Sequence, residues 1–468
     1  MKKTFALMFV IILSFTLTLA GCGGNNAPEK SPEPAKTPES NANAGKQTEG
    51  NGGAVKEGDQ GEKETVTLKW GTWMGDEEAA RIIEAFTATH PHIKIEKDPA
   101  VTWPWNEKLA AVAAAGELPD VMWTFGVPVA AANGWLEDLT PYLAADEEYK
   151  AGKTFKNLDD TANYSGKQYA LPHTLLMFAV FLNLDLFEKE NIPVPSANWT
   201  IDEMRDAANA LTKFNDHQFG FGNLKAMRET LAASFDPALG WNTWDGKQYN
   251  FTNPAFKQSV TYLDDLLYSD KVALDIYKGE EKDQWYGKGK SPWMLGKVGM
   301  QYDGTWMIAG SIKEAKFKWD VRPLPSSKGS RIPLITDYVG IAKSSKHKEA
   351  AFEFVKWLTF SKEGWMERMK PEWPLGTTPL INDEDVWNAY LGREDMPAGM
   401  KDLVGMIPEG FADPLKWLPG YDDALKIYHE TFKKIDEREV KLEDVSADME
   451  KRMNDTYKAA AEQIGKAE

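Results

Sequence analysis

The chain has 468 residues, enough for two domains, and its 42% hydrophobic and 27% charged residues are typical of a globular protein. The formal net charge of -17 argues against nucleic acid as a partner, because phosphate backbones require Lys and Arg for neutralisation. It also argues against attachment to an anionic bilayer through a basic patch. Cys22 is the only cysteine, so no internal disulfide bond can form.

Residues 1–21 have the pattern of a secretory signal peptide. Lys2 and Lys3 precede an apolar run from Thr4 to Leu19, which is shorter than the ~20 residues that a spanning helix needs. The sequence Leu19-Ala20-Gly21-Cys22 resembles the bacterial lipobox, and the resemblance implies lipidation of Cys22. The alternative is a chance cysteine after an ordinary signal peptide.

Residues 22–65 are predicted to be a lipidated, flexible tether. The stretch from Gly23 to Thr65 contains no aromatic residue and no Leu, Ile or Met. Such a segment cannot bury enough apolar surface to offset the entropy lost on ordering. We therefore expect it to hold the folded part away from the outer face of the cell membrane.

The folded part begins with alternating strands and helices, which predict a layered α/β domain. In such domains ligands bind beyond the carboxyl ends of the strands. Asp76 is a good candidate for a helix N-cap. The predicted order is a strand at Val66–Trp70, a helix from Asp76 to His90, a strand at Ile93–Glu96, a helix at Asn106–Ala115 and a strand at Pro119–Trp123.

Tryptophan is unusually frequent, with 18 residues, and four of them lie just after or at the end of these strands. Indole rings offer a flat apolar face with one polar handle, so an excess suits a ligand-binding site as well as a core. The four are Trp73, Trp103, Trp105 and Trp123.

Six motifs in order resemble the family 1 extracellular solute-binding proteins, over about residues 66–465. Two departures are Phe181 in place of the usual Tyr and Ala170 in place of a common Gly. The motifs are Gly116–Val121 with Gly134–Leu143, Tyr164–Pro172, Phe181–Phe187, Trp199–Met204, Gly296–Met300 with Asp303–Trp306, and Ala350–Leu358.

The resemblance implies a two-lobed α/β periplasmic-binding-protein fold of type II, with three crossings between the lobes. The N-terminal lobe would comprise residues 66–171 and 332–371, and the C-terminal lobe residues 172–331 and 372–468. The crossings would lie near Pro172, Pro323–Pro333 and Pro371–Pro379. Proline and glycine are frequent in the last two segments, as expected of chain passages.

The resemblance also implies a function: the substrate-binding component of an ABC importer, monomeric and without a cofactor. It would capture a carbohydrate, in particular an oligosaccharide, by hinge closure and deliver it unchanged to membrane permease subunits. The alternatives are a secreted carbohydrate-active enzyme, the binding input of a surface sensor, and a binder of another polar solute such as a glycerol phosphodiester or polyamine. The six histidines are scattered without a His-Glu-x-x-His motif, so no metal site is predicted.

Trp306 is the leading candidate for a ligand contact, because the family commonly stacks a sugar on an aromatic ring at this position. Trp123 is second, and core packing is the alternative for each aromatic candidate. Five residues fall on apolar helix faces and are predicted to be core: Trp357, Met449, Met453, Tyr457 and Ile464. The other ligand-binding candidates are Trp73, Asp76, Trp103, Trp105, His173, Trp241, Trp244, Asp303, Trp417 and Tyr421.

Overall fold

The computed structural model describes residues 65–102, 104–326, 328–329, 331–375 and 378–465. The predicted signal peptide, Cys22, the predicted tether up to residue 64 and Trp103 lie outside these residues. The strands are β1 (Val66–Gly71), β2 (Ile93–Lys97), β3 (Val121–Thr124), β4 (Asn163–Tyr164), β5 (Lys167–Gln168), β6 (Leu171–Asn183), β7 (Phe219–Gly222), β8 (Val298–Gly304), β9 (Trp319–Arg322), β10 (Pro333–Ile341) and β11 (Phe411–Ala412). The α-helices are α1 (Asp76–Thr89), α2 (Trp105–Ala115), α3 (Val127–Ala132), α4 (Thr140–Ala145), α5 (Glu147–Lys150), α6 (Lys156–Asp159), α7 (Leu184–Lys189), α8 (Ile201–Leu211), α9 (Ala232–Phe235), α10 (Pro254–Asp264), α11 (Gly279–Tyr286), α12 (Met307–Glu314), α13 (Lys348–Thr359), α14 (Lys362–Arg368), α15 (Glu384–Leu391), α16 (Met400–Gly405), α17 (Tyr421–Asp436) and α18 (Leu442–Gly465).

The predicted β-α-β-α-β start of the folded part is confirmed. Strand β1 pairs in parallel with both β2 and β3, and α1 and α2 make the two connections. Helix α2 ends at Gly116, whose φ of 73° is the left-handed conformation that glycine adopts without strain. The parallel arrangement brings the carboxyl ends of β1 and β3 to one edge of the sheet.

The prediction that Asp76 caps α1 is wrong. Gly75 occupies the N-cap, and Asp76 is the first helical residue. Its carboxylate instead accepts a hydrogen bond of 2.6 Å from Nζ of Lys97, at the end of β2. A negative charge in the first turn still suits the positive end of the helix.

One strand, β6, runs through both halves of the sheet, in which the strand order is β2-β1-β3-β10-β6-β8-β7. Residues up to Met177 pair with β10, and residues from Phe178 onward pair with β8 and β9. The expected crossing near Pro172 thus falls at the start of this strand, and the change of partner lies five residues later, at Met177–Phe178.

The last third of the chain returns to the first half of the sheet before it packs on the second. Thr378 donates to the carbonyl of Leu175 at 3.1 Å, and the buried carboxylate of Asp383 pairs with Lys153 at 2.5 Å. Strand β11 then pairs with β10, and α17 and α18 pack together. The expected passage at Pro371–Pro379 stays a prediction.

The buried side chains form two main groups, one around Trp70 and Phe86, which extends to Phe219 and Val298 of β7 and β8, and the other around Met204 and Phe256. Three of the predicted core positions are confirmed, whereas Tyr457 and Ile464 are only partly buried. Trp357 belongs to the first group and is 2% exposed, and Met449 and Met453 belong to the second and are fully buried.

Gly220 in β7 provides a test of how closely α8 packs on the sheet. A Cβ at this position would lie 1.9 Å from the carbonyl oxygen of Ala208, so Gly220→Ala must move backbone. We expect a loss of about 1–3 kcal/mol in the free energy of unfolding, measured by urea denaturation.

Gly405→Ala in α16 is the matched control, because nothing lies within 4 Å of the Cβ that this substitution would add. Its effect should stay below about 1 kcal/mol. Equal stability of the two variants would contradict the close approach of α8 to β7.

Candidate functional site

Trp73, in the loop after β1, is a partly exposed indole supported by two buried ones. Its ring meets Trp105 at a centroid distance of 5.0 Å and Trp123 at 4.6 Å, both edge-on. Trp105 and Trp123 are 1% and 3% exposed, and Nε1 of Trp105 donates to the carbonyl of Trp123 at 3.1 Å. Trp105 and Trp123 therefore hold Trp73 in place, and Trp73 offers the accessible face.

A cavity of about 430 Å³ lies beside Trp73 and brings three predicted site residues together. It is lined by Trp73, Trp105 and Asp76 with Lys97 and Asp98. The hydrogen bond from Lys97 lowers the pKa of Asp76, so the carboxylate is ionised at neutral pH. The volume is in the range of small-molecule sites, and the walls combine flat apolar rings with a charged pair.

Trp306 follows β8 and is 44% exposed, the largest exposure of any described tryptophan. Its indole lies directly on Gly304, where a Cβ would come within 2.1 Å of the ring. Phe178 supports its edge at 5.0 Å, and Trp241 in turn packs on Phe178 at 5.5 Å. An exposed indole held by buried rings is suited to stacking against a ligand.

Asp303 lies beside this indole, where the fold orients its carboxylate. The oxygens accept hydrogen bonds from the Gly304 N–H at 2.9 Å and from the Gln301 amide at 3.2 Å. Burial raises the pKa of Asp303 above its ordinary value. The structure thus brings together Trp306, Asp303 and Trp241, three of the residues predicted from sequence.

Lys416 is a candidate site residue that the sequence analysis did not single out. Its ammonium pairs with Asp337 of β10, and the pair is 13% exposed on each side. It also lies 5.8 Å from the ring centres of Trp73 and Phe125. A cation close to two aromatic faces contributes favourable electrostatics and a hydrogen-bond donor. The only sequence signal was its position next to the candidate Trp417.

His173 and Trp123 stack with ring centroids 4.1 Å apart and an interplanar angle of 32°. Both are 3% exposed, and Nε2 of His173 and Nε1 of Trp123 have no hydrogen-bond partner among the described residues. Burial lowers the pKa of His173 to about 3, so the imidazole is neutral in the folded protein. Buried ring nitrogens without partners are uncommon and costly.

Three other candidates lie in or against α17 and α18, or between the two groups of core side chains. Tyr421 is 2% exposed, and its hydroxyl accepts a hydrogen bond of 2.8 Å from Asn242, which has a φ of 46°. Trp244 packs edge-on against Tyr249 at 5.1 Å and Tyr457 at 4.8 Å. Trp417 is partly buried and packs against both groups of core side chains. Their contacts are those of packing residues.

Within the described residues, no group of three or more His, Cys, Asp or Glu side chains is arranged to hold a metal ion. No described helix combines the length and apolar character that crossing a bilayer requires.

Comparison with known proteins assigns the chain to a family. The model of the bacterial extracellular solute-binding proteins matches residues 73–365, which is more than half of the sequence. The chain belongs to this family of binding proteins.

Individual relatives have low sequence identity, but they match most of this chain. A putative binding protein of Brucella abortus is 26% identical over 360 residues, covering 74% of this chain and 81% of the relative. The arabinooligosaccharide-binding protein of Bacillus subtilis is 24% identical over 409 residues, covering 83% of this chain and 82% of the relative.

The fold is shared with solved structures of such proteins. The ABC substrate-binding protein of Listeria monocytogenes in complex with cycloalternan superposes with a TM-score of 0.69 at 20% identity, covering 84% of this chain and 99% of the other. The predicted two-lobed α/β fold is confirmed.

Asp413, between β11 and Lys416, has a buried carboxyl group that should make the stability of the protein depend on pH. Burial raises the pKa of Asp413 to about 7 from its ordinary 3.8. The folded state then binds this proton more tightly than the unfolded state, so its contribution to stability is lost as the pH rises from about 4 to about 7.

Asp413→Asn removes the buried ionisable group, so stability should no longer fall as the pH rises. The asparagine keeps a side-chain oxygen, which in the wild type accepts a hydrogen bond from the Leu415 N–H at 3.0 Å. We expect the variant to gain about 1–2 kcal/mol over the wild type at pH 7.5 and nothing at pH 4, measured as thermal stability across the range. Asp423→Asn, at an exposed carboxylate, is the control and should show no such dependence. Parallel pH profiles for Asp413→Asn and the wild type would refute the effect.

Proposed function

We propose that this protein captures an oligosaccharide outside the cell and delivers it to an ABC permease. The observation that carries the proposal is the exposed indole of Trp306, fixed on Gly304 beside Asp303. The C–H faces of a pyranose pack on such a ring, and a neighbouring carboxylate accepts hydrogen bonds from hydroxyl groups. The names of the Bacillus and Listeria relatives, which refer to arabinooligosaccharide and cycloalternan, support a saccharide as the ligand.

The proposed mechanism is closure of the two halves about β6 and the passages beside it. One half contributes Trp73 and Lys416, and the other contributes Trp306 and Asp303. A ligand that touches both sets only in a closed state shifts the population towards that state. Stacking about 100 Å² of apolar surface on one indole contributes about 2.5 kcal/mol, so a few such contacts give roughly micromolar affinity after ordering costs.

Trp306→Ala tests the stacking role. It should weaken the affinity for the best saccharide of a neutral and acidic trisaccharide panel at least tenfold, because the stacking face is removed. The affinity is measured by isothermal titration calorimetry, and recovery of intact saccharide by chromatography tests binding against hydrolysis.

Phe214→Ala is the matched control, since Phe214 is an equally exposed aromatic side chain, at 51%, and does not contact Trp306. It should leave the affinity within twofold of the wild type. Unchanged affinity in Trp306→Ala, with the fold intact, removes the observation on which the proposal rests.

We further propose that the mature protein is a monomer anchored by lipid at Cys22 on the outer face of the membrane. The lipobox-like Leu19–Cys22 supports this, because it places the only cysteine where lipidation would occur. Cys22→Ser should shift the protein from the membrane fraction to the medium, as followed by detergent phase partition. Retention of Cys22→Ser in the membrane fraction would argue against the anchor.

A further inference from the structure

A small cavity of about 50 Å³ is lined by residues of α1, β3 and α14. Its walls include Trp123, His173, Thr174 and Arg368, with Trp373 from the loop after α14. Exposed Glu78 and partly exposed Met74 also line it, so it opens towards solvent at α1. We call it the Arg368 cavity.

Arg368 is held in this cavity by backbone carbonyls and an aromatic ring. Its Nε donates to Gly364 O at 3.0 Å, and its Nη2 donates to Leu358 O at 3.0 Å and Trp357 O at 3.3 Å. The guanidinium carbon lies 3.7 Å from the ring centre of Trp365. Nη1 makes no hydrogen bond to the described residues.

The guanidinium lacks a compensating negative charge. The chain carries 71 acidic residues against 54 Lys and Arg, yet no described carboxylate lies within 4.0 Å of Arg368. Burial alone lowers the pKa of Arg368 to about 9, without a counteracting charge. Glu78 lines the cavity but forms no ion pair with Arg368. Arg368 is partly buried, and a desolvated cation without an ion pair is costly, so an arriving anion would relieve the cost.

Two residues that line the same cavity, Trp123 and His173, each carry a buried ring nitrogen without a partner among the described residues. These atoms are Nε1–H of Trp123 and Nε2 of His173, on side chains that are 97% buried. The indole can only donate, and the neutral imidazole donates from Nε2 in one of its two tautomers. A guanidinium, an indole and an imidazole that can all donate hydrogen bonds are complementary to a carboxylate.

We propose that the Arg368 cavity receives the carboxylate of a uronate residue, so that the captured oligosaccharide is an acidic one. The inference rests on the proposed function, because it concerns one sugar unit of that ligand. The cavity can hold a carboxylate group but is too small for a pyranose ring, which would remain outside, at the opening beside Met74 and Glu78. Arg368 then selects for charge, and the aromatic rings bind the sugar faces.

The first experiment compares matched ligands on the purified wild-type protein. Trigalacturonate and triglucuronate are titrated beside their methyl esters, which keep the ring and the linkage but remove the charge. At least one acid should bind ten times more tightly than its ester. Acids that bind no better than their esters overturn the inference. Acetate at millimolar concentration should not compete, and full competition by acetate would reveal a site for small anions only.

The second experiment removes the guanidinium. Arg368→Gln should reduce the affinity for the acid at least tenfold, to that of the ester, and leave the affinity for the ester within twofold. Arg452→Gln is the control, since it makes the same charge change on α18, where Arg452 pairs with Asp448 at 3.6 Å. A preference for the acid that survives Arg368→Gln contradicts the assignment.

Arg368 also bonds to carbonyls of α13, so Arg368→Gln could fail to fold. Trp123→Phe then serves as the second variant, because it removes the donor and keeps an aromatic ring. It should reduce the ratio of acid to ester affinity about threefold, and an unchanged ratio overturns the role of the indole. If neutral saccharides bind and acids do not, the inference fails but the proposed function stands. If no saccharide binds, the proposed function fails as well.

Discussion

The structure depends on one constraint: a single strand, β6, has to belong to both halves of the sheet. Its partner changes at Met177, and this residue is fixed on both sides by Thr305. The Thr305 N–H donates to the Met177 carbonyl at 2.9 Å, and the Met177 N–H donates to the Thr305 hydroxyl at 3.1 Å. Trp306 follows directly in sequence, so the leading site residue is positioned by the same contacts that join the halves.

The two exposed indoles are built in the same way. Trp73 rests on buried tryptophans, and Trp306 rests on Phe178 and a glycine backbone. Supporting rings restrict the rotamers of an exposed indole, so less entropy is lost when a ligand stacks on it. Trp105 and Trp123 support Trp73 in this way, and their own contact with a ligand stays a prediction. Because Trp105 is buried, it can contribute to binding by supporting Trp73 without touching the ligand.

Local sequence predicted the first strands and helices because each depends on neighbouring residues: apolar alternation, a terminating glycine, a proline. It could not separate Trp306 from Trp244, since both lie near Gly and Asp, and Trp244 is buried by packing against Tyr249 and against the distant Tyr457 of α18. The ion pair of Lys416 and Asp337 could not be predicted from local sequence either. Its members are 79 residues apart, and they meet only because β11 pairs with β10.

The two cations near His173 show how the site could distinguish charge. Lys416 is neutralised by Asp337, so it can donate to a neutral hydroxyl without leaving a net charge behind. Arg368 is surrounded by carbonyls and rings, which orient the guanidinium but do not cancel its charge. A neutral ligand forms no ion pair with Arg368. The cavity that favours a carboxylate therefore gives no advantage to its uncharged counterpart, so discrimination follows from the difference between the two cations.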